Sequence, residues 1–136
     1  MPFTGPIEDR IAIRELLESY ASAVCEADSA AWGATWAEEG VWTLPDYTGI
    51  GRVEGRDAIV TKWIEVMKDV PGTVFVATPG SIEIDGDRAQ VRSYTSEVFD
   101  YEGATLRHRG RYEDVVVKRD GGWLFQSRTF SHLHRQ

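Results

Sequence analysis

A single cysteine, Cys25, rules out any disulfide within the chain, and three histidines without clustered carboxylates leave no recognisable zinc-binding set, so no metal is expected. Long apolar runs are missing too. No stretch approaches the roughly 20 residues that a helical membrane span requires, so no membrane partner is expected. The first residues, MPFTGPIEDR, have neither the basic start nor the apolar core of a secretory signal. With only one thiol present, this points to a cytoplasmic protein. Positive charge is scarce: 15 Lys and Arg stand against 22 Asp and Glu, a net charge of -7. Such a chain repels a phosphate backbone unless its basic residues gather on one face. Arg107, Arg109, Arg111, Lys118 and Arg119 do cluster in sequence. Three of them alternate on an expected strand, where a solvated face accounts for them, and no nucleic-acid partner is expected. Phosphate loops, GxSxG elbows and dinucleotide fingerprints are absent; GIGRVEG lacks the required spacing and precedes no parallel crossover.

What is present is the composition of an ordinary globular protein, 42% hydrophobic and 27% charged over 136 residues. That length suffices for a core burying about two-thirds of the unfolded surface, and one domain spanning 1–136 is expected. Ile7, Ile11, Ile13, Leu16, Leu17, Tyr20, Ala21 and Val24 follow helical spacing, which predicts a long first helix over 7–26 behind Pro6. Asp28 is a good N-cap for a second helix over 29–38, with Trp32 and Trp36 on one side and Gly40 as its stop. VWTL is a short β-prone run, and the following PDYTGIGRVEG reads as irregular loop. Ile59, Val60, Trp63, Ile64 and Met67 predict a third amphipathic helix over 56–68, ended by Pro71 and Gly72.

Beyond residue 72 the hydrophobic period changes from helical to alternating, and four β-rich runs are separated by DGD, YEG and RDGG, each a tight-reversal signal. Helices first and an antiparallel meander afterwards predict an α+β fold, with one curved sheet folded over three N-terminal helices.

That order of elements, with IRELLESYASAV, the spacing of WGATWAEEGVW, GRVEGRDAIV, IEIDGDRAQVRSY and GRYEDVVVKRDGGWLFQSR, resembles the SnoaL-like branch of the nuclear transport factor 2-like superfamily. The resemblance covers nearly the whole chain. It implies a cone-shaped sheet wrapped around a central apolar pocket, and a homodimer formed through the outer sheet face. Members include polyketide cyclases, dehydratases, dehydrochlorinases, ketosteroid isomerases and binding-only proteins. Dehydratase-like members carry an aspartate five residues after the first-helix tyrosine, and this chain has Cys25 there, counting from Tyr20. Their histidines fall where this chain has Phe75 and Phe99, so the Asp and His pair is absent and its mechanism does not carry over.

A nucleophilic thiol needs a nearby cation or a helix N-terminus, and Cys25 sits near a helix C-terminus; it reads as a small hydrophobe at the pocket floor. If Tyr112 faces inward, as the resemblance implies, alternation gives Leu106, His108, Gly110, Asp114 and Val116 the same face and turns Arg107, Arg109, Arg111 and Glu113 outward. His108 is then either a proton-moving group or a histidine tied to a strand neighbour. Glu97, between Thr95 and Phe99, is a general base if it faces the pocket, and a one-residue bulge would turn it away. Asp114 and Arg128 read as an ion pair across the last two strands, either structural or with Arg128 anchoring substrate. Tyr20, Trp42, Tyr47, Trp63 and Phe75 would supply an aromatic wall. His132 and His134, two apart in SHLH, read as a tail capping the pocket mouth.

The candidate catalytic residues are therefore Glu97, His108 and Asp114. The candidate substrate-binding residues are Tyr20, Cys25, Trp42, Tyr47, Trp63, Phe75, Tyr112 and Arg128. The expected activity is that of a cofactor-independent lyase or isomerase acting on a hydrophobic aromatic or polycyclic small molecule. Glu97 or His108 would move a proton while Tyr112 and Arg128 stabilise oxyanion charge. The alternatives are a binding-only protein and a scaffold whose pocket is filled by side chains.

Overall fold

The computed structural model describes residues 2–135, with side chains for residues 2–133. The chain opens with a two-residue strand, β1 (Phe3–Thr4), and helix α1 (Ile7–Glu26), starting directly behind Pro6. Ile13, Leu16, Leu17, Tyr20, Ala23 and Val24 form its buried stripe, while Ile7 and Ile11 lie exposed. Asp9 in the first turn accepts from Lys118 Nζ and Trp123 Nε1, both at 3.1 Å. A carboxylate at a helix N-terminus is favoured by the helix dipole, and here it also fastens the helix to the sheet.

The second helix is shorter than its sequence predicts. Asp28 caps it by accepting from the Ala31 N–H at 3.0 Å, but α2 covers only Ser29–Gly33. Thr35 Oγ1 donates to the Trp32 carbonyl at 2.7 Å, and the Thr35 carbonyl accepts from the Phe125 N–H at 2.9 Å. Sheet pairing thus takes the chain from helix to strand, and Trp36 and Gly40 lie within β2 (Trp36–Thr43). The PDYTGIGRVEG segment is also more regular than expected. It holds a 3-10 turn at Asp46–Thr48 and β3 (Arg52–Glu54), which pairs antiparallel with β2 from Val41↔Glu54 to Thr43↔Arg52. Helix α3 (Arg56–Met67) follows, burying Ile59 and Trp63.

The meander forms as the alternation predicts: β4 (Val74–Asp85), β5 (Arg88–Tyr101), β6 (Ala104–Arg119) and β7 (Gly122–Arg135). Two-residue turns join them, with positive φ at Gly86, at Glu102 and Gly103, and at Asp120 and Gly121. Such turns match the twist of the strands they connect. All seven strands form one curved, unclosed sheet in the order β1-β4-β5-β6-β7-β2-β3. The fold class is α+β as expected, but the sheet is mixed, because β1 pairs parallel with β4 and β2 parallel with β7. Helix α1 packs on β4 and α3 on β2, so the apolar core sits between the helices and the concave sheet face. Among the described residues no helix is long and apolar enough to cross a membrane.

The basic residues of the last third divide: Arg107, Arg109 and Arg111 alternate along the outer face of β6, and Lys118 and Arg119 lie apart from them in ion pairs. Lys118 is paired with Asp9, Arg119 with Glu39 at 2.6 Å, and Arg111 and Arg92 both approach Glu113.

Candidate functional site

Along β5 every second residue from Ala89 to Thr95 is buried, and Glu97 and Phe99 continue that face. On β6, Leu106, His108, Gly110, Tyr112, Asp114 and Val116 share the corresponding face. The two faces meet in register, with Glu97 opposite His108 and Phe99 opposite Leu106. No bulge interrupts β5 or β6 on their shared edge, so Glu97 faces inward.

These residues line a cavity of about 480 Å³ between the concave sheet and helices α1 and α3. Of the predicted site residues, Tyr20, Trp42, Tyr47, Trp63, Phe75, Glu97, His108 and Tyr112 all line it. Most of the remaining wall is apolar, including Val24, Leu44, Met67, Phe99, Leu106 and Phe130. Tyr47, carried on the 3-10 turn, is 58% exposed and stands at the mouth. Trp63 is held flat against Trp32, with ring centroids 4.6 Å apart and planes 9° from parallel.

Three predicted residues fall elsewhere. Cys25 is exposed and does not line the cavity, which corrects its expected place at the pocket floor. Its sulfur accepts from the Phe75 N–H at 3.2 Å and approaches the Phe75 carbonyl at 3.4 Å, pinning the end of α1 to the start of β4. Asp114 and Arg128 lie beneath the wall. Arg128 donates to both carboxylate oxygens of Asp114, from Nε at 2.9 Å and Nη2 at 3.1 Å, with both side chains sealed from solvent. The guanidinium carbon sits 3.8 Å from the Tyr112 ring centroid, 4.2 Å from that of Phe125 and 4.3 Å from that of Tyr20. Burial opposes the Arg128 charge, yet Asp114 and the two tyrosines hold its pKa above the ordinary value.

Besides Asp69, His108 and His132, the wall carries polar groups whose ionisation burial alters, Glu97 and Tyr112 among them. Among the described residues Glu97 has no hydrogen-bond or ion-pair partner, and burial pushes its carboxyl up to about 7. An unpaired carboxyl in an apolar cavity resists ionisation because the charged form loses its water. Tyr112 accepts from Trp42 Nε1 at 3.1 Å, and burial raises its phenol well above its usual range. Since Trp42 can only donate, the Tyr112 hydroxyl hydrogen is not spent on it and is shared with the neighbouring Tyr20 hydroxyl.

The residue that sequence reasoning undervalued is His132. It lines the cavity, its Nε2 lies 3.3 Å from His108 Nδ1, and its Nδ1 is hydrogen-bonded to the Tyr47 hydroxyl. The signal available was its place two residues beyond Phe130, on the same face of β7; the side chain of His134 lies outside the described residues. Among the described residues no cluster of three His, Cys, Asp or Glu could hold a metal ion.

Several solved structures are similar to this chain. A scytalone dehydratase candidate from Novosphingobium aromaticivorans DSM 12444 is 22% identical, with a TM-score of 0.87 over 96% of this chain and 87% of the other. A hexachlorocyclohexane dehydrochlorinase, LinA type 3 from Novosphingobium barchaimii LL02, is 16% identical, with a TM-score of 0.83 over 96% and 90%. A ketosteroid isomerase-like protein from Erwinia carotovora atroseptica SCRI1043 is 22% identical, with a TM-score of 0.83 over 93% and 98%. At these identities the likeness is one of fold. No curated protein matches the chain. Residues 6–129 match the SnoaL-like domain, and with that match spanning most of its length the chain belongs to the SnoaL-like family.

Proposed function

We propose that this protein is a cofactor-independent lyase or isomerase that removes a proton next to a carbonyl group of a hydrophobic, aromatic or polycyclic small molecule. The observation that carries the reading is Glu97: an unpaired carboxyl on a largely aromatic wall, opposite His108, with its pKa pushed by burial to about 7. A base of that strength is half ionised near neutrality and still basic enough to accept a proton from a carbon acid. The dehydratase, dehydrochlorinase and isomerase named among the similar structures support the same class of chemistry.

In this mechanism the Glu97 carboxylate takes the proton from carbon, and the electron pair moves onto the carbonyl oxygen. Tyr112 turns its hydroxyl hydrogen from Tyr20 to that oxyanion, with its own oxygen held by Trp42. Arg128 acts through the Tyr112 ring, 3.8 Å away, because Asp114 and the surrounding rings seal it from the cavity. The enolate then either expels a neighbouring leaving group or is reprotonated at another carbon. The same reading has the protein work in the cytoplasm as a homodimer, supported by the exposed Val74, Val76 and Tyr94 on the outer sheet face.

The test is hydrogen exchange. Aromatic ketones that quench the fluorescence of Trp42 and Trp63 are incubated with the protein in deuterium oxide, and loss of the proton beside the carbonyl is followed by NMR. Glu97→Gln should keep quenching and lose exchange by about 100-fold or more. Binding without exchange in the wild type would instead identify a binding-only protein.

A further inference from the structure

We propose that Tyr47, His132 and His108 form a proton relay from solvent to the cavity, in which His108 delivers a proton to the reacting molecule. The proposal rests on the Glu97 reading and adds the acid that such a base requires.

The three side chains come from separate elements. Tyr47 stands on the turn after β2, His132 on β7 and His108 on β6. The Tyr47 hydroxyl meets His132 Nδ1, and His132 Nε2 meets His108 Nδ1 at 3.3 Å. One end of the row is the exposed tyrosine at the mouth, and the other is the ring opposite Glu97. Packing holds the rings in place: Phe130 lies edge-on to His132 at 4.9 Å and Phe99 edge-on to His108 at 4.8 Å. Apolar residues could provide that packing alone; the alignment of four polar atoms is what it leaves unexplained.

A neutral imidazole has one N–H and one lone pair, so a row of this kind has a direction. When the Tyr47 O–H donates to His132 Nδ1, the His132 hydrogen is on Nε2 and donates to His108 Nδ1. His108, accepting at Nδ1, then carries its hydrogen on Nε2. The exposed tyrosine thereby selects the tautomer of a ring two members away. In the delivery step, His108 Nε2–H protonates the leaving group or the receiving carbon. His132 passes its Nε2 hydrogen to His108 Nδ1, Tyr47 passes its hydrogen to His132 Nδ1, and water restores Tyr47. One proton enters from water and one reaches the substrate, which leaves both rings with hydrogen on Nδ1. Glu97 returns the proton it removed to water, and exchange of the ring hydrogens with water restores the Nε2–H forms before the next turnover. The count balances without an oxidant or reductant.

The test begins with tautomers in the free protein. In ring-labelled protein, long-range ¹H–¹⁵N NMR reads each imidazole separately, with His134 as the third signal. The expected result is the Nε2–H form for both His108 and His132, and a shift of both towards mixed tautomers in Tyr47→Phe and of His108 in His132→Gln. With an aromatic ketone that is turned over, Tyr47→Phe should lower kcat about tenfold and leave KM unchanged. An Nδ1–H form of His108 in the wild type, or tautomers indifferent to Tyr47→Phe while exchange at carbon persists, would overturn the relay. The expected tautomers in a protein that exchanges no carbon-bound proton would support the row of hydrogen bonds and refute the Glu97 reading separately.

Discussion

At the scale of single residues, the ionisation of Glu97 ties function to stability. Its carboxyl titrates at 4.5 in the ordinary case and at about 7 in the folded chain, through burial. Between those values the folded protein holds the extra proton, so stability falls as pH rises; below 4.5 nothing is lost, and above 7 the whole penalty is present. The full linkage value is about 3 kcal/mol, reduced by whatever solvent reaches the carboxyl through the cavity. Glu97→Gln removes the titration. Its stability relative to wild type should therefore improve by ~2 kcal/mol between pH 4.5 and pH 8 in urea unfolding, and a constant difference across that range would contradict the buried, unpaired carboxylate. The inward face of Glu97 and His108 was legible from strand alternation because no bulge separates them from Thr95 and Tyr112. The resemblance, with its count from Tyr20, places Cys25 at the pocket floor; in the fold Tyr20 and Val24, four apart, share the cavity face, and one further residue turns about 100° away. Alternation likewise put Asp114 and Arg128 on the inner face but gave no depth, and the Tyr112 ring lies between them and the cavity.

At the scale of elements, strands β6 and β7 are joined in the core by the Asp114–Arg128 pair and, further along, by a close approach. A Cβ built on Gly110 would lie 2.2 Å from the Phe130 ring and 2.9 Å from Thr95 Oγ1. Gly110 thus leaves the space into which Phe130 lies as part of the cavity wall. Gly110→Ala should cost about 1–3 kcal/mol and change ligand affinity by displacing Phe130, as read by thermal unfolding and fluorescence titration. Removing one partner of the ion pair leaves the other charge buried without compensation. Arg128→Met alone should lose about 3–5 kcal/mol, and most of it should return in the double variant Asp114→Leu, Arg128→Met. A double variant no better than the single one would mean that the guanidinium's stacking on Tyr20, Tyr112 and Phe125 matters more than its charge. Elements with long, regular periods, α1, α3 and β4 to β7, were legible in the sequence. Those defined by tertiary pairing were not: two residues of β1 and three of β3 carry too little pattern, and α2 gives way to β2 because Thr35 joins β7.

At the scale of the whole molecule, helices cover the concave face of the sheet, and among the described residues none covers the convex face. On the convex side Val74 is 54% exposed, Val76 56% and Tyr94 42%, on the adjacent strands β4 and β5. Strand register brings Val98 beside Val74 and continues across β6 to Arg107, Arg109 and Arg111. An apolar strip of this kind on a single curved sheet suits a two-fold contact, in which the same patch of each subunit meets itself. The arginines beside it offset locally the repulsion expected between two chains of net charge -7. Native mass spectrometry should therefore find about twice the 15.3 kDa chain mass. Val76→Glu places a charge at the centre of that strip and should release monomers. Val76 points away from the cavity, while its neighbour Phe75 lines it, so the monomer should still bind the ketones that quench Trp42 and Trp63. A monomeric wild type would remove the homodimer and leave the cavity reading untouched. A Val76→Glu protein that loses both its mass and its ligand would mean that the cavity takes its shape from the partner subunit.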